Sequence, residues 1–467
     1  YQEQVMQIAQ VLAGYTLGAA DMLSALIRQT LIQISTPDAM RGRVGAITSL
    51  SVVASNELGE FESGLAAAWF LSRKHEVWVL ERENRIGGHT NTARVQSSRG
   101  VVPVDTGFIV HNERTYPNLL RIFKELDIKT QPTEMSMSIN CLGCGLQYAG
   151  GRGAKGILAK PSKLLDPRFI SLLLSVPRFY RAARKLLAED SQSEITWGEF
   201  LAKEGFSRYF INHYAIPVVS CVWSSGHEDA LKYPARHLFE FLNHHGMLEL
   251  GNSPTWRTVV GGSDNYVQAI LKLIPNSKKS EAVVAVRRFA EYVEVTTNKG
   301  VQNFDYAIIA THADSALKIL VDADEAEKLN LVAIPYSKNQ TWLHTDQSAL
   351  PKLTGARASW NYKIDDCNQS SGQVLVSYWM NLLMRLNSKT DYVVTLNGAG
   401  QIDENKVIAK MEYEHPIFTK ESLKAAKYLN SAGGTRLAFA GAHLGWGFHE
   451  DGARSGVAAA KKFGANW

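Results

Sequence analysis

Glu81 ends a short apolar run, Val77-Trp78-Val79-Leu80, and a glycine pair, Gly87-Gly88, follows it closely. A carboxylate at a strand end can accept hydrogen bonds from the two hydroxyls of a ribose. Paired glycines let a loop pass close to a bound cofactor, because no side chain stands between backbone and ligand. Upstream, Gly59-Glu60-Phe61-Glu62-Ser63-Gly64 runs into Leu65-Ala66-Ala67-Ala68, and Glu81 lies 17 residues beyond Gly64. That is the spacing of a glycine turn opening a helix, whose unpaired N–H groups and positive dipole end would face a pyrophosphate. The small residues after the turn let such a helix lie close on a sheet. The chemistry these residues could support is the binding of a dinucleotide.

The turn departs from its pattern at one position. Three glycines are expected, and the second is Phe61. That glycine normally lets the backbone approach the phosphates, so a phenyl ring either obstructs the pyrophosphate or forces the loop aside. Ser55-Asn56-Glu57-Leu58, just before the turn, would make a poor buried strand. The acid followed by Arg85-Ile86-Gly87-Gly88 is more specific than the turn and carries the reading.

Other reactive side chains give weaker signals. Cys141-Leu142-Gly143-Cys144 is a CxxC pair, but a structural zinc site needs four ligands, and Cys221 and Cys367 stand alone. A turn with two small thiols is the plain expectation, and no metal site is assigned. His213, His237 and His244-His245 match no ligand spacing and read as helix-face or pocket residues. No Gly-x-Ser-x-Gly elbow occurs, which argues against a hydrolase of that type. Trp223, Trp360, Tyr362, Tyr378 and Trp446 could line an apolar pocket, although large aromatics more often fill a core.

The scaffold that must hold these residues is long enough, at 467 residues, for two or three domains. Hydrophobic residues at 45% and charged residues at 20% give an ordinary globular balance. A net charge of +5 is mild for this length and does not argue for a nucleic-acid partner. Four cysteines are too few for a disulfide framework and suit a reducing compartment. Apolar strands at 77–80 and 306–310 and a hairpin over 282–296 alternate with helical patterns at 116–126 and 267–273, which predicts an α/β domain with a largely parallel sheet.

Two stretches differ from this pattern. Gln4 to Ala20 carry no charge, and the apolar run continues to Arg28 with Asp21 inside it. Its length is borderline for crossing a bilayer, which takes about 20 apolar residues, and it suits a buried amphipathic helix equally. Between Arg152 and Lys185 stand nine Lys or Arg against one acid, Asp166, with Leu, Ile, Phe and Tyr interleaved. A basic amphipathic helix can lie on an anionic membrane, each basic residue contributing roughly 1 kcal/mol near the surface. A solvated helix face is the plain alternative.

Further marks are Val104 to Asn118, Trp256 to Ser263, His415 to Thr419, and Phe439 to Gly452 with a small-residue helix running on to Ala460. With these, the sequence resembles the flavin-containing amine oxidoreductase superfamily from about residue 63 to its end, and within it a bacterial branch described as predicted NAD/FAD-binding proteins. The resemblance implies an α/β fold: a Rossmann-like FAD-binding domain (58–130, 261–315 and 431–467) with an inserted α+β substrate domain (131–260 and 316–430). Residues 1–57 would form an apolar helical appendage. The implied cofactor is FAD. Gly59, Ser63 and Gly64 would belong to the turn, and Glu81 would bind the adenosine ribose. Arg85, Gly87, Gly88 and Thr90 would line the pyrophosphate and ribityl chain. Val284 would offer a backbone amide near the adenine, and Ala310 would end a strand beside the cofactor. Gly441 would begin the closing segment, with Gly447, Phe448 and Asp451 by the isoalloxazine or ribityl group.

The implied reaction is hydride transfer between a substrate carbon and flavin N5, with no catalytic acid or base assigned. A lipid acyl chain, in a desaturase-like reaction, is the expected substrate, and a small-molecule amine is the alternative. A protein that keeps the fold without cofactor or activity is a further alternative, motivated by Phe61. The expected partners are a small-molecule or lipid substrate and a membrane surface met through 152–185, with no nucleic acid. The expected location is the cytoplasm, at the inner face of the cytoplasmic membrane. Residues 1–62 resemble a fragment of a major facilitator superfamily transporter. A junction near Glu62 to Trp69 is therefore expected, with transporter sequence in place of the first strand. Such a fragment cannot transport, since it lacks the helices that enclose a path.

Overall fold

Val79-Leu80 and Ala307 to Ala310 are buried on consecutive residues, the pattern of strands covered on both faces. In the computed structural model, which describes residues 49–54, 61–189, 193–249, 251–368 and 375–465, they lie in a five-stranded sheet. Its order is Asn276–Lys278, Glu76–Glu81, Ser49–Ala54, Tyr306–Ala310, Leu437–Phe439, and every pairing is parallel. Ala54 pairs with Glu81 on one side and Ala310 on the other, so three strand ends stand level at the carboxyl edge. Ligands of open parallel sheets bind beyond that edge.

The middle strand corrects the sequence reading. Ser49–Ala54 falls inside the stretch expected to be a helical appendage, yet it fills the first-strand place that a junction was expected to have cost the fold. The turn pattern predicts a strand directly before Gly59, and the observed strand ends at Ala54, five residues ahead of that glycine. The remainder of that stretch, including the run from Gln4 considered for membrane crossing, lies outside the described residues. Among the described residues, no helix is long and apolar enough to cross a membrane.

The helix Phe61–Leu71 follows. Leu65 through Leu71 are all buried, so it is apolar on every side, as a helix held inside a domain must be. It lies between the sheet and the closing helix His449–Lys462. Glycines let the two helices touch. A Cβ on Gly456 would stand 2.1 Å from the Ser63 carbonyl oxygen, and one on Gly452 would stand 3.1 Å from Glu62 Cβ. The hairpin expected over 282–296 is present as Val283–Arg288 and Val293–Thr297, extended by Gly300–Phe304.

A second, seven-stranded sheet runs Val407–Pro416, Tyr336–His344, Val393–Leu396, Val376–Trp379, Trp360–Ile364, Met137–Cys141, Gln147–Gly150. It is antiparallel except where Trp360–Ile364 meets Met137–Cys141. A helical lobe packs on it, built from Pro167–Glu189, Trp197–Lys203, Ile216–Trp223 and Ala235–His244. Phe179, Trp197, Phe200 and Phe239 fill its centre at ring separations of 4.7–5.8 Å. These rings bury large apolar area and lock the lobe as a unit.

The basic stretch 152–185 is largely tied into the chain. Arg152 bonds the Arg357 carbonyl and Glu134, Lys160 bonds the Gly145 carbonyl, and Asp166 takes both Lys163 and Arg168. Leu165 and Leu174, at 87% and 71% exposed, are left facing outward between these cations.

Candidate active site

Glu81, expected to meet a ribose, ends its strand with one carboxyl oxygen unsatisfied among the described residues. Glu81 is fully buried at the carboxyl edge of the parallel sheet. One oxygen accepts the Glu83 N–H at 2.9 Å, while Oε2 has no hydrogen-bond partner among the described residues. Burial pushes the carboxyl up to about 8, and the Glu83 N–H pulls the other way. A buried carboxylate oxygen without a donor is costly, and the hydroxyls of a ribose would supply donors.

The following loop is shaped for close approach. Gly87 and Gly88 have φ of +147° and +52°, and a Cβ on Gly87 would stand 2.6 Å from the Thr90 carbonyl oxygen. Arg85 turns back on this loop, donating to the carbonyls of Gly88 (2.7 Å) and Thr90 (3.1 Å), so its first task is to hold the loop's shape. Thr90 Oγ1 lies 2.6 Å from the Tyr266 hydroxyl. The residues leading to Val284 run along the end of the acid's strand, where the Glu281 N–H meets the Glu81 carbonyl at 2.8 Å. Val284 itself is 53% exposed and sits at a bulge. Ala310 is buried at its strand end. Gly59 lies outside the described residues.

The closing segment is held by local contacts. Gly441 donates its N–H to Ser455 Oγ at 2.9 Å. Gly447 has φ +84°, with Phe418 and Pro416 3.3 Å from where a Cβ would be. Phe448 stacks on Phe241 at 4.6 Å. Asp451 caps its own helix: it accepts the Phe448 N–H at 3.2 Å and pairs with Arg454 at 3.1 Å. A carboxylate in that position offsets the positive helix end.

Glu62, to which the sequence reading gave no role, is 4% exposed in the first turn of Phe61–Leu71. Its carboxyl touches the Tyr266 hydroxyl and the His449 ring. An acid there satisfies the helix dipole from within, at the end where a pyrophosphate would bind. The ribose end of the site thus fits a dinucleotide, and the pyrophosphate end is modified at Phe61 and Glu62.

A cavity of about 490 Å³ joins these motifs to the helical lobe. His89, Gly447 and Phe448 line it from the cofactor segments, and Phe179, Tyr214 and Phe241 from the lobe. Trp360 and Tyr378, expected as pocket residues, line it too. His89, Tyr413 and His415 form a cluster in the wall, with ring centroids 4.8 and 5.1 Å from His89. Burial drives the imidazoles of His89 and His415 down, the latter to about 4, so both are neutral at physiological pH. His89 Nε2 is buried with no hydrogen-bond partner among the described residues. Its position, directly after the glycine pair, was the signal that could have marked it.

Residues 63–384 match the model of the flavin containing amine oxidoreductases. The chain belongs to that family. A second model, the finger domain of the bacterial DNA polymerase III alpha subunit, matches residues 1–37, where the sequence reading saw a transporter. No curated protein matches the chain in sequence. Among solved structures, this amine oxidoreductase is similar to a CLA-producing fatty acid isomerase from P. acnes, with a TM-score of 0.64, 14% identity, and 88% and 97% of the two chains covered. It is similar to cyclohexylamine oxidase from Brevibacterium oxydans IH-35A at 0.63, 15%, 89% and 98%. Putrescine oxidase bound to putrescine gives 0.61, 11%, 90% and 99%. At these identities the likeness is one of fold. The family implies a flavin, which the idle oxygen of Glu81 and the bare Gly87-Gly88 loop fit.

Proposed function

We propose that this chain is an FAD-dependent oxidoreductase that transfers a hydride between flavin N5 and a carbon of an apolar, acyl-type substrate. The cavity supports this most directly: its wall runs from the cofactor motifs into the aromatic lobe, and its side chains are mainly aromatic and aliphatic. An amine substrate asks for an acid or for a cage of aromatic faces around its ammonium, whereas the rings here share the lining with Ile109, Val110, Val218, Leu242, Met247 and Leu396. Among the described residues, Glu249 is the one acid in the lining, and it is 43% exposed and engaged by Arg184. The neutral histidines add no charge. Bound flavin supplies the hydride acceptor. The protein orients the substrate carbon, excludes water, and offers the free Nε2 of His89 to take the proton that leaves with the hydride.

The face over 152–185 supports delivery of such a substrate from an anionic lipid surface. Exposed Leu158, Leu164, Leu165 and Leu174 alternate there with cations. Anaerobic mixing of the flavin-loaded protein with unsaturated fatty acids, acyl esters and primary amines tests the substrate class. Acyl substrates should bleach the flavin; bleaching by amines alone refutes the reading. Vesicles carrying anionic lipid should sediment the protein, and neutral vesicles should not.

A second reading, a fold that has lost its cofactor, is favoured by Glu62 in the turn where phosphates would bind. A folded, colourless protein that FAD does not reconstitute would establish it.

A further inference from the structure

Four ligating side chains from three distant parts of the sequence meet at the edge of the seven-stranded sheet. The Sγ atoms of Cys141, Cys144 and Cys367 and a ring nitrogen of His213 all lie within 4.8 Å of one another. Cys141 ends the strand Met137–Cys141, Cys144 sits in the turn after it, and Cys367 follows the strand Trp360–Ile364. His213 projects from the π-helical turn Ile211–Ala215 of the helical lobe. Such turns often mark functional positions.

The geometry points to a zinc site of the Cys3His type, closed by four protein ligands and structural in role. Tetrahedral zinc, about 2.3 Å from sulfur and about 2.0–2.1 Å from nitrogen, holds its ligand atoms about 3.5–3.8 Å apart. Cys141 and Cys367 sulfurs are 3.5 Å apart, and Cys144 sulfur is 3.7 Å from His213 Nε2.

The surroundings orient each ligand. His213 Nδ1 lies 2.9 Å from the Tyr209 carbonyl, which can only accept. The proton is therefore on Nδ1, and the Nε2 lone pair faces the sulfurs, the usual arrangement of a metal-bound histidine. Backbone N–H groups of Cys144 and Leu146 bond the sulfurs of Cys141 and Cys144. Asn212 holds the Cys367 carbonyl at 2.7 Å. The turn can close on the cluster because Gly143 has no side chain: a Cβ there would be 3.0 Å from the Cys367 nitrogen. Three thiolates around Zn²⁺ leave one negative charge. Lys160, 2.9 Å from the Gly145 carbonyl, and Arg168, 5.3 Å over the Tyr209 ring, stand beside it. A disulfide would use two of the sulfurs and would need neither the third nor the histidine.

The bound ion would staple the helical lobe to the seven-stranded sheet. The full chain, produced in zinc-supplemented medium and purified without chelator or a metal-binding tag, should carry about one zinc per chain. X-ray absorption should show three sulfur neighbours and one nitrogen. Co²⁺ titrated into the reduced, zinc-stripped protein should give the long-wavelength bands of a tetrahedral thiolate site, beyond the flavin absorption. Cys144→Ser and Cys367→Ser should lose most of the bound zinc, while Cys221→Ser keeps it. Should the variants fail to fold, the wild-type measurements still decide. A wild-type chain that takes up neither Zn²⁺ nor Co²⁺ while all its thiols are free overturns the assignment. So does a Cys141–Cys367 disulfide in the protein as purified.

Discussion

FAD affinity should rise with pH through neutrality, and Glu81 should be the cause. In the cofactor-free protein, burial moves this carboxyl from an ordinary value of 4.5 up to about 8. At pH 7 about one carboxyl in ten is then ionised. Ribose hydroxyls donate to the ionised form, so binding selects it and expels a proton. Affinity in such a case scales with the fraction of competent protein. Between pH 6 and pH 8 that fraction grows by about 50-fold, equivalent to about 2.3 kcal/mol. Above about pH 8.5 the gain levels off.

The Glu81→Gln variant keeps the shape but loses the charge. Hydrogen bonds to a charged group contribute about 1.5–3 kcal/mol, so at pH 8.5 the variant should bind FAD roughly 10–150-fold more weakly. At pH 6 it should bind nearly as well as the parent, because the parent's acid is itself neutral there. Titration of apoprotein into FAD, followed by flavin fluorescence at pH 6, 7 and 8, reads the slope. Calorimetry at pH 7 in two buffers of different ionisation enthalpy should count about 0.9 proton released per FAD. A flat wild-type profile, or a slope that survives in Glu81→Gln, refutes the reasoning.

Three further outcomes follow from named contacts. Phe61→Gly should raise FAD affinity on the order of tenfold, the scale of one restored charge-assisted bond to phosphate, with unchanged affinity counting against the ring as the obstacle. Asp105 is buried and held by Thr92 and Ser263, and burial raises it from 3.8 to about 7. A raised folded value means its contribution to stability is full below about pH 3.8 and is lost as pH rises through about 7; the thermal midpoint of Asp105→Asn should show a flatter dependence across that window. Gly456→Ala puts a methyl 2.1 Å from the Ser63 carbonyl oxygen; the two helices must part, costing roughly 1–3 kcal/mol, and both the urea midpoint and the retained flavin should fall.

What could be read from the sequence was what lies within one continuous unit. Strand, acid, Arg85 and the glycine pair follow one another over a dozen residues, so they stand out together by their spacing. The first strand was harder. Ser49–Ala54 alternates serine with apolar residues at its start, unlike a buried parallel strand, and its place comes from pairing with strands that lie far along the chain. The cysteine and histidine cluster could not be found by spacing at all. Cys141 and Cys144 form the local half, but Cys367 arrives through the parallel pairing of Trp360–Ile364 with Met137–Cys141, and His213 through a helix that crosses above. Asp451, expected beside the cofactor, also caps the helix His449–Lys462, a contact that its motif alone does not reveal.

The two ends of the candidate nucleotide site differ in what they leave open to a ligand. At the ribose end a buried oxygen lacks a donor and the loop beside it carries no side chain in the way. At the pyrophosphate end the helix dipole already has an acid, Glu62, held between Tyr266 and His449. An acid at that helix end competes with a pyrophosphate for the positive end of the dipole. Through His449, which lines the cavity, Glu62 also reaches the cavity wall. The acid stands at the positive end of the helix, so its first effect should be on how tightly the cofactor is held. Glu62→Ala should accordingly raise FAD affinity and weaken its dependence on salt, whereas the bleaching rate of saturated enzyme should stay within a few-fold. A variant that binds FAD no better, or that loses substrate-driven bleaching at saturation, would show that Glu62 supports the fold or the chemistry instead.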